Sequence, residues 1–177
     1  MILDFLKTAV NLKNIPRQGW IDKINIANPE SVADHTFSMA IIGMLISDIE
    51  NYNSEKILKM VLLHDLAESK VGDITPGQMS SEKKKELENN AFDKIISNLP
   101  EKIKNQYFQA WKEYQNNFTK EANLVHQIDK LEMALQAKSY EHKGHPKEKL
   151  ESFYTTASLE ISNQSLKELF TKIINED

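Results

Sequence analysis

Apolar side chains recur along most of this chain at the three- and four-residue spacing that lines one face of an α-helix. The clearest start signal lies at residues 28–31, and Ser31 and Asp34 have the spacing of a capping box. Pro16 and Gly72 mark interruptions between helices. The pattern predicts helices at about 2–13, 28–50, 54–68, 80–98, 103–114 and 120–142, followed by one or two more to residue 177.

Length and composition indicate one helical domain. The chain has 177 residues, enough to bury one full core, whereas two domains would each be small. It contains only 5 glycines and 5 prolines, which favours long helices with few turns. We therefore expect an all-α, single-domain bundle over residues 1–177, with its core at roughly 5–142 and packing helices at 147–177.

Charge and residue usage exclude several classes of partner. The net charge is -4 and there is no basic block, so we expect no nucleic acid polymer as a partner. An acid and a base interrupt the N-terminal apolar residues, and the longest apolar run, at 39–46, is too short to span a bilayer. We expect a cytoplasmic protein without a membrane partner. Cysteine is absent, so any metal must be held by histidine and carboxylate.

Ionisable side chains interrupt the apolar stripes at three places. His35 faces inward from the first turn of one predicted helix, and His64 and Asp65 lie near the end of the next. Asp129 lies within the stripe of the helix at 120–142. Each has an ordinary alternative, since a lone inward histidine is often a hydrogen-bonded core residue and Asp129 could pair with a neighbouring Lys or Arg. Together they suit a divalent ion, with Mn, Co or Mg expected and Zn, Fe or Ni as alternatives.

Further polar groups lie close to these positions in the sequence. Glu68 shares a helix face with His64, and the turn after Gly72 returns Asp73 towards the same end of the helix. The predicted loop at 15–20 contains Arg17 and Trp20, for which a surface charge and a core ring are the ordinary interpretations. His126, one turn before the last candidate ligand, either supports the site or lies at the surface, and the sequence favours the surface.

Five sequence blocks resemble a known family. They are RQGW at 17–20, NPESVADH at 28–35, HDLAE at 64–68, VGDI at 71–74 and QIDKLEM at 127–133. All five, in this order, are similar to the YfbR-like HD-domain 5′-deoxynucleotidases, including the branch of HD-domain-containing protein 2. The likeness covers roughly residues 5–142 and implies an HD-type helical fold, usually a homodimer, that hydrolyses nucleoside 5′-monophosphates with a preference for deoxyribonucleotides.

The resemblance also implies a role for each matching residue. Arg17 would bind the phosphate and Trp20 would lie against the sugar. Glu68 and Asp73 would be the catalytic carboxylates, which either transfer protons or hold a second ion together with Ile74, and the sequence does not say which. The implied metal ligands are His35, His64, Asp65 and Asp129.

Three alternatives stay open at this point. An HD-type phosphodiesterase or dinuclear oxygenase needs additional inward histidines, and His126 is the one histidine between His64 and Asp129. A nucleoside triphosphohydrolase would need more positive charge than the few basic residues near the site provide. A non-catalytic nucleotide-binding module would keep the fold without turnover. Base preference is also open, because Gln18 lies where relatives vary.

Overall fold

The computed structural model describes residues 2–176 and is built from α-helices, as the apolar periodicity predicts. The elements are α1 (Ile2–Asn11), a short 3₁₀ helix (Leu12–Asn14), α2 (Gln18–Ile24), α3 (Val32–Glu50), α4 (Ser54–Leu63), α5 (Glu68–Val71), α6 (Ser81–Ile96), α7 (Glu101–Asn116), α8 (Lys120–His142), α9 (Lys147–Glu160) and α10 (Gln164–Ile174). The all-α fold class is confirmed.

Helix α3 packs against both α4 and α8. The contact with α4 is close at Gly43, where an added Cβ would lie 3.1 Å from Ile57 Cγ2. The main core cluster extends along the chain from Leu12 to Ile173, so the C-terminal helices bury side chains in the same core as the N-terminal half. Because α3, α4 and α8 meet there, polar residues on their facing sides are brought together.

Three boundaries differ from the sequence prediction, and the first is the start of α3, which lies at Val32 rather than near residue 28. Helix α2 begins at Gln18, inside the segment predicted as a loop, and Asn25 ends it in the left-handed conformation with φ 59°. Helix α4 ends at Leu63 rather than near residue 68, and a turn precedes the four residues of α5. The break matters for function because it separates His64 and Asp65 from the regular helix.

A second, smaller core cluster surrounds Trp20 and includes Tyr140 and Phe153. It packs α2 against the end of α8 and against α9. Within residues 2–176, α3 is long and apolar enough to cross a membrane by length and composition, a test that core helices of soluble proteins also pass. Its packing on α4 and α8 accounts for its buried apolar residues, such as Met39 and Ile46.

Candidate metal centre

A capping box sets the phase of α3 and points His35 inward. The Ser31 side chain accepts a hydrogen bond from the Asp34 backbone N–H, and Asp34 Oδ2 accepts one from the Ser31 N–H at 2.9 Å. This reciprocal pair fixes where the helix begins. One residue later, His35 is fully buried.

The end of α4 presents two neighbouring side chains to the same space. The His64 N–H still donates to Met60 O at 2.8 Å, so His64 lies just at the C-terminus of α4. Its imidazole is buried, and Asp65 is partly buried with 16% of its side chain exposed. His64 Nε2 lies 3.0 Å from Asp65 Oδ2.

Helix α8 supplies Asp129. Its carboxylate both pairs with a neighbouring lysine and faces the other candidate ligands. Its Oδ2 accepts a hydrogen bond from Lys130 Nζ at 2.9 Å, which is the neighbouring basic partner. Its Oδ1 lies 3.3 Å from His35 Nε2 and so faces the histidines. Asp129 is therefore paired on one side and directed at the site on the other.

The structure brings all four predicted ligands together. One donor atom from each of His35, His64 and Asp129 lies within 4.8 Å of the others, and Asp65 Oδ2 is 3.9 Å from His35 Nε2. Ligands at about 2.1 Å from an octahedral ion are roughly 3 Å apart, so only small shifts would seat an ion. His35 Nε2, His64 Nε2 and Asp65 Oδ2 are buried without a hydrogen-bond partner. These unpaired atoms fit a divalent metal.

In each histidine, Nε2 faces the site and Nδ1 is held by a hydrogen bond. His64 Nδ1 lies 2.6 Å from the Val61 carbonyl oxygen, which accepts a hydrogen bond from Nδ1–H and leaves Nε2 free to bind a metal. His35 Nδ1 lies 2.5 Å from Glu132 Oε2 in the same way. Glu132 lies in the block at 127–133 but received no role from the sequence, although its position three residues after Asp129 was the available signal.

The charges of the site compensate one another. Burial raises the pKa of Asp129, but Lys130 and His35 outweigh it and hold the pKa well below its usual range. Burial likewise opposes ionisation of Asp65, yet His64 and Arg17 hold its pKa far below the ordinary value. Both carboxylates are thus anionic at neutral pH and available to a cation.

Arg17 faces these carboxylates. Its NH1 lies 3.6 Å from Asp65 Oδ2 and its NH2 lies 3.9 Å from Asp129 Oδ1. The segment is fixed by a short bridge to the start of α3, in which the Arg17 N–H donates to Glu30 O at 3.0 Å. A guanidinium beside an ion can bind two oxygens of a phosphate group.

The two additional carboxylates lie in different surroundings. Glu68 is buried and its Oε2 has no hydrogen-bond partner; burial raises its pKa well above the ordinary value, with further contributions from Asp65 and Asp73. Asp73 is partly buried and its Oδ2 accepts a hydrogen bond from the Gln18 N–H at 2.7 Å. The Ile74 carbonyl, expected as a ligand of a second ion, instead accepts a hydrogen bond from Lys84 Nζ at 2.7 Å.

Trp20 lies in the second core cluster. Its side chain is 2% exposed, and its ring lies 4.2 Å from that of Phe153 and 5.1 Å from that of Tyr140, measured between centroids. The indole N–H donates to Glu30 Oε1 at 2.9 Å. Trp20 therefore packs the second core cluster and supports Glu30, and its contact with a substrate sugar stays a prediction.

Glu30 and Glu132 form a second acidic group with His35. Burial, followed by the charge of Glu132, raises the pKa of Glu30 to about 7. Because Trp20 donates to Glu30 and His35 donates to Glu132, both carboxylates already have protein partners. We interpret this group as support for His35 rather than as a separate metal site.

His126 is not the surface residue that the sequence favours. It is partly buried, its ring stacks on Tyr114 at 4.2 Å between centroids, and its Nε2–H donates to the Tyr114 carbonyl at 2.9 Å. Tyr114 in turn contacts the ring of His64 edge-on at 5.5 Å. His126 therefore supports the site through Tyr114.

Known proteins resemble this chain over most of its length. A family model described as "HD domain" matches residues 9–170. The human protein named 5′-deoxynucleotidase HDDC2 is 35% identical over 97% of this chain and 84% of its own. The protein of the same name from Dictyostelium discoideum is 40% identical over 86% of this chain and 85% of its own. A solved structure from Pyrococcus horikoshii is 33% identical and covers 99% of this chain and 96% of its own, with a TM-score of 0.80.

Proposed function

Because the chain belongs to the HD-domain family, we propose that it is a metal-dependent 5′-deoxynucleotidase, which hydrolyses deoxynucleoside 5′-monophosphates to nucleoside and inorganic phosphate. Relatives named for this activity match nearly the whole chain. The observation that carries the proposal is the position of the Arg17 guanidinium beside Asp65 and Asp129 at a site suited to a divalent ion. An ion next to a guanidinium suits a phosphate monoester.

We propose that the ion is Mn, Co or Mg, with Zn, Fe and Ni as alternatives, because the donors are mixed imidazole and carboxylate groups. When bound, the ion offsets the charge of the phosphoryl oxygens and makes an attacking water more acidic. Arg17 binds the phosphate and orients it for attack. The residues that hold the ion in this proposal are His35, His64, Asp65 and Asp129.

Glu68 is the proposed proton donor to the leaving O5′ oxygen. Its buried carboxyl retains a proton to a higher pH than an ordinary glutamate does, which suits a general acid. Asp73 is the proposed acceptor of the proton from the attacking water, and the Gln18 N–H fixes its orientation. This assignment would resolve the two roles that the sequence leaves open.

A second ion at Glu68, Asp73 and Ile74 stays a proposal with one structural condition. The Lys84 ammonium already binds the Ile74 carbonyl, and it lies 3.5 Å from Glu88 Oε1. A cation that used this carbonyl would meet the charge of Lys84. Lys84 would have to move aside before such an ion could bind.

The test is release of inorganic phosphate from a panel of deoxy- and ribonucleoside monophosphates by protein loaded with Mn or Co. We expect turnover with a preference for the deoxy series. Glu68→Gln should lower kcat by at least about 100-fold, because it cannot donate a proton, while Mn binding persists. The matched control is Glu86→Gln, which alters an exposed glutamate on α6.

Absence of turnover across the panel, with Mn bound, would contradict the proposal and favour a nucleotide-binding module. Unchanged kcat in Glu68→Gln would remove Glu68 from the mechanism but leave the nucleotidase assignment standing. The two results therefore separate the function from the role of one residue.

We further propose a cytoplasmic homodimer that binds small nucleotides and neither nucleic acid polymers nor membranes. Support for the dimer comes from α3, whose outward face carries an apolar stripe at four-residue spacing. Such a stripe is larger than the single exposed apolar residues typical of a monomer surface. Its members are Phe37, Ile41, Leu45 and Ile49, with exposures of 68%, 48%, 55% and 61%.

A further inference from the structure

Tyr114 is a polar residue of the site to which neither the sequence blocks nor the proposed mechanism gives a role. It lies in the last turns of α7, between His64 and His126. Its ring meets that of His64 edge-on, at 5.5 Å between centroids and an interplanar angle of 72°. Tyr114 therefore contacts a proposed metal ligand directly.

The ring of Tyr114 is held on its other side by His126. The two rings are stacked at 4.2 Å with an interplanar angle of 9°. The same imidazole donates a hydrogen bond from Nε2 to the Tyr114 backbone carbonyl at 2.9 Å, so one residue fixes both the main chain and the ring. Two contacts of this kind restrict the rotamer of Tyr114 and hold its hydroxyl in one place.

The hydroxyl of Tyr114 makes no hydrogen bond within residues 2–176. The carboxylates of Asp129, Asp65, Glu68 and Glu88 lie near this hydroxyl. A tyrosine hydroxyl keeps its proton at neutral pH and is therefore a hydrogen-bond donor. The Tyr114 hydroxyl is not one of the fully buried atoms that lack a partner, so an acceptor on a bound ligand can reach it.

The surroundings indicate which acceptor this is. Arg17 lies against the carboxylates Asp65 and Asp129, whereas Tyr114 lies against His64. An anion bound to the ion would therefore have a guanidinium beside the carboxylates and a phenol beside the imidazole. A phosphate monoester has three terminal oxygens, enough to reach the ion, Arg17 and a further donor together.

On the basis of the proposed nucleotidase function, we propose that Tyr114 is a further catalytic residue, whose hydroxyl donates a hydrogen bond to a terminal oxygen of the bound phosphate. His126 is a positioning residue that acts through Tyr114. The hydrogen bond is charge-assisted because the acceptor is anionic, and such bonds are stronger than those between neutral groups.

The test compares Tyr114→Phe with the unaltered protein and with Tyr107→Phe. Phenylalanine keeps the ring and both of its ring contacts, so the fold should be retained, which thermal unfolding would check. Tyr107 is a partly buried tyrosine of the same helix whose ring packs 5.7 Å from that of Phe5. Binding of Mn²⁺, and then of inorganic phosphate to the Mn-loaded protein, is measured by calorimetry.

We expect Tyr114→Phe to bind Mn²⁺ like the unaltered protein, to bind phosphate about tenfold more weakly and to lose about tenfold or more in kcat/KM. Tyr107→Phe should leave all three unchanged. Unchanged phosphate affinity in Tyr114→Phe would overturn the inference. Weakened Mn²⁺ binding would also overturn it, because Tyr114 would then only support His64.

The same measurements separate this inference from the proposed function. If the unaltered protein hydrolyses no nucleoside monophosphate but Tyr114→Phe weakens phosphate binding, the nucleotidase assignment fails and the contact to phosphate stands. If the protein hydrolyses nucleotides and Tyr114→Phe binds phosphate normally, the function stands and the role of Tyr114 fails.

Discussion

Both ring nitrogens of His35 lie near carboxylates, so the ring holds a proton that a metal must displace. Nδ1 lies 2.5 Å from Glu132 Oε2, and Nε2 lies 3.3 Å from Asp129 Oδ1. Burial and the charge of Arg17 lower the pKa of His35, but the nearby carboxylates of Asp129 and Glu132 outweigh them and raise it to about 9. Without an ion the ring is protonated at neutral pH, and a metal must displace that proton.

We therefore expect the apparent affinity for Mn²⁺ to rise about tenfold per pH unit between about pH 7 and 8, with release of roughly one proton per ion. Titration calorimetry in two buffers of different ionisation enthalpy would measure both quantities. An affinity that does not change with pH, or the absence of proton release, would contradict a protonated His35 in the ion-free site.

The raised pKa of His35 also makes the stability of the ion-free protein depend on pH. The folded value of about 9 lies above the unfolded value of about 6.5. The contribution of His35 is therefore fully present below about pH 6.5 and is lost as the pH rises through 9. Thermal unfolding in the presence of a chelator should show this loss, and saturating Mn²⁺ should reduce it because the bound ion excludes the proton.

At the scale of single residues, the sequence predicted which side chains meet but not how each is supported. His35, His64, Asp65 and Asp129 come together as expected. The burial of the Trp20 ring against α8 and α9 was not predicted, because it depends on how helices far apart in sequence pack. Helical periodicity reports which face of one helix is apolar, and it carries no information about which partner meets that face.

At the scale of secondary structure elements, the break after α4 is the feature that positions the two carboxylates proposed to be catalytic. The sequence predicted one helix to residue 68, because the apolar spacing continues through the break. In the structure α4 ends at Leu63, and Gly72 then ends α5 with φ 79° and ψ 168°. The sequence predicted the capping box of α3 because a cap is formed by neighbouring residues, whereas this break depends on tertiary packing.

Gly72 provides a test of this arrangement. Its backbone conformation is nearly restricted to glycine, and a Cβ there would meet nothing within 4 Å, so the effect of Gly72→Ala is conformational rather than steric. We expect a loss of about 1–3 kcal/mol in the free energy of unfolding. Because Asp73 follows directly, kcat/KM should also fall about tenfold, a change that phosphate release would measure.

Gly77→Ala is the matched control for this prediction. Gly77 also has a positive φ, 98°, and open space around its Cα, but it lies in the turn beyond Ile74. We expect a comparable loss of stability with little change in kcat/KM. If the two variants lost activity equally, general destabilisation would explain the effect and Gly72 would have no special role in placing Asp73.

At the scale of the whole molecule, the sequence predicted the all-α class but not which face of α3 packs on the other helices. Residues of both α3 faces are apolar, so periodicity alone could not separate the face that packs on α4 and α8 from the face left exposed. Buried Met39 and Ile46 alternate along α3 with exposed Ile41 and Leu45. An isolated bundle would leave the second face in water, where it favours association.

The exposed stripe of α3 is the predicted interface between two copies of the chain. If two copies bury this face, the double variant Ile41→Glu with Leu45→Glu should convert a dimer to a monomer, because the partner would have to bury unpaired carboxylates. Light scattering after size-exclusion chromatography should give twice the 20.4 kDa chain mass for the unaltered protein and a single chain mass for the variant.

Leu159→Glu is the control for this experiment, because Leu159 is 81% exposed on α9 and lies outside the stripe. We expect it to leave the dimer intact, since it adds the same charge at another surface. The double variant should keep its helical circular dichroism, because the altered side chains point away from the core. A monomeric unaltered protein, or a double variant that remains dimeric, would exclude the α3 face as the interface.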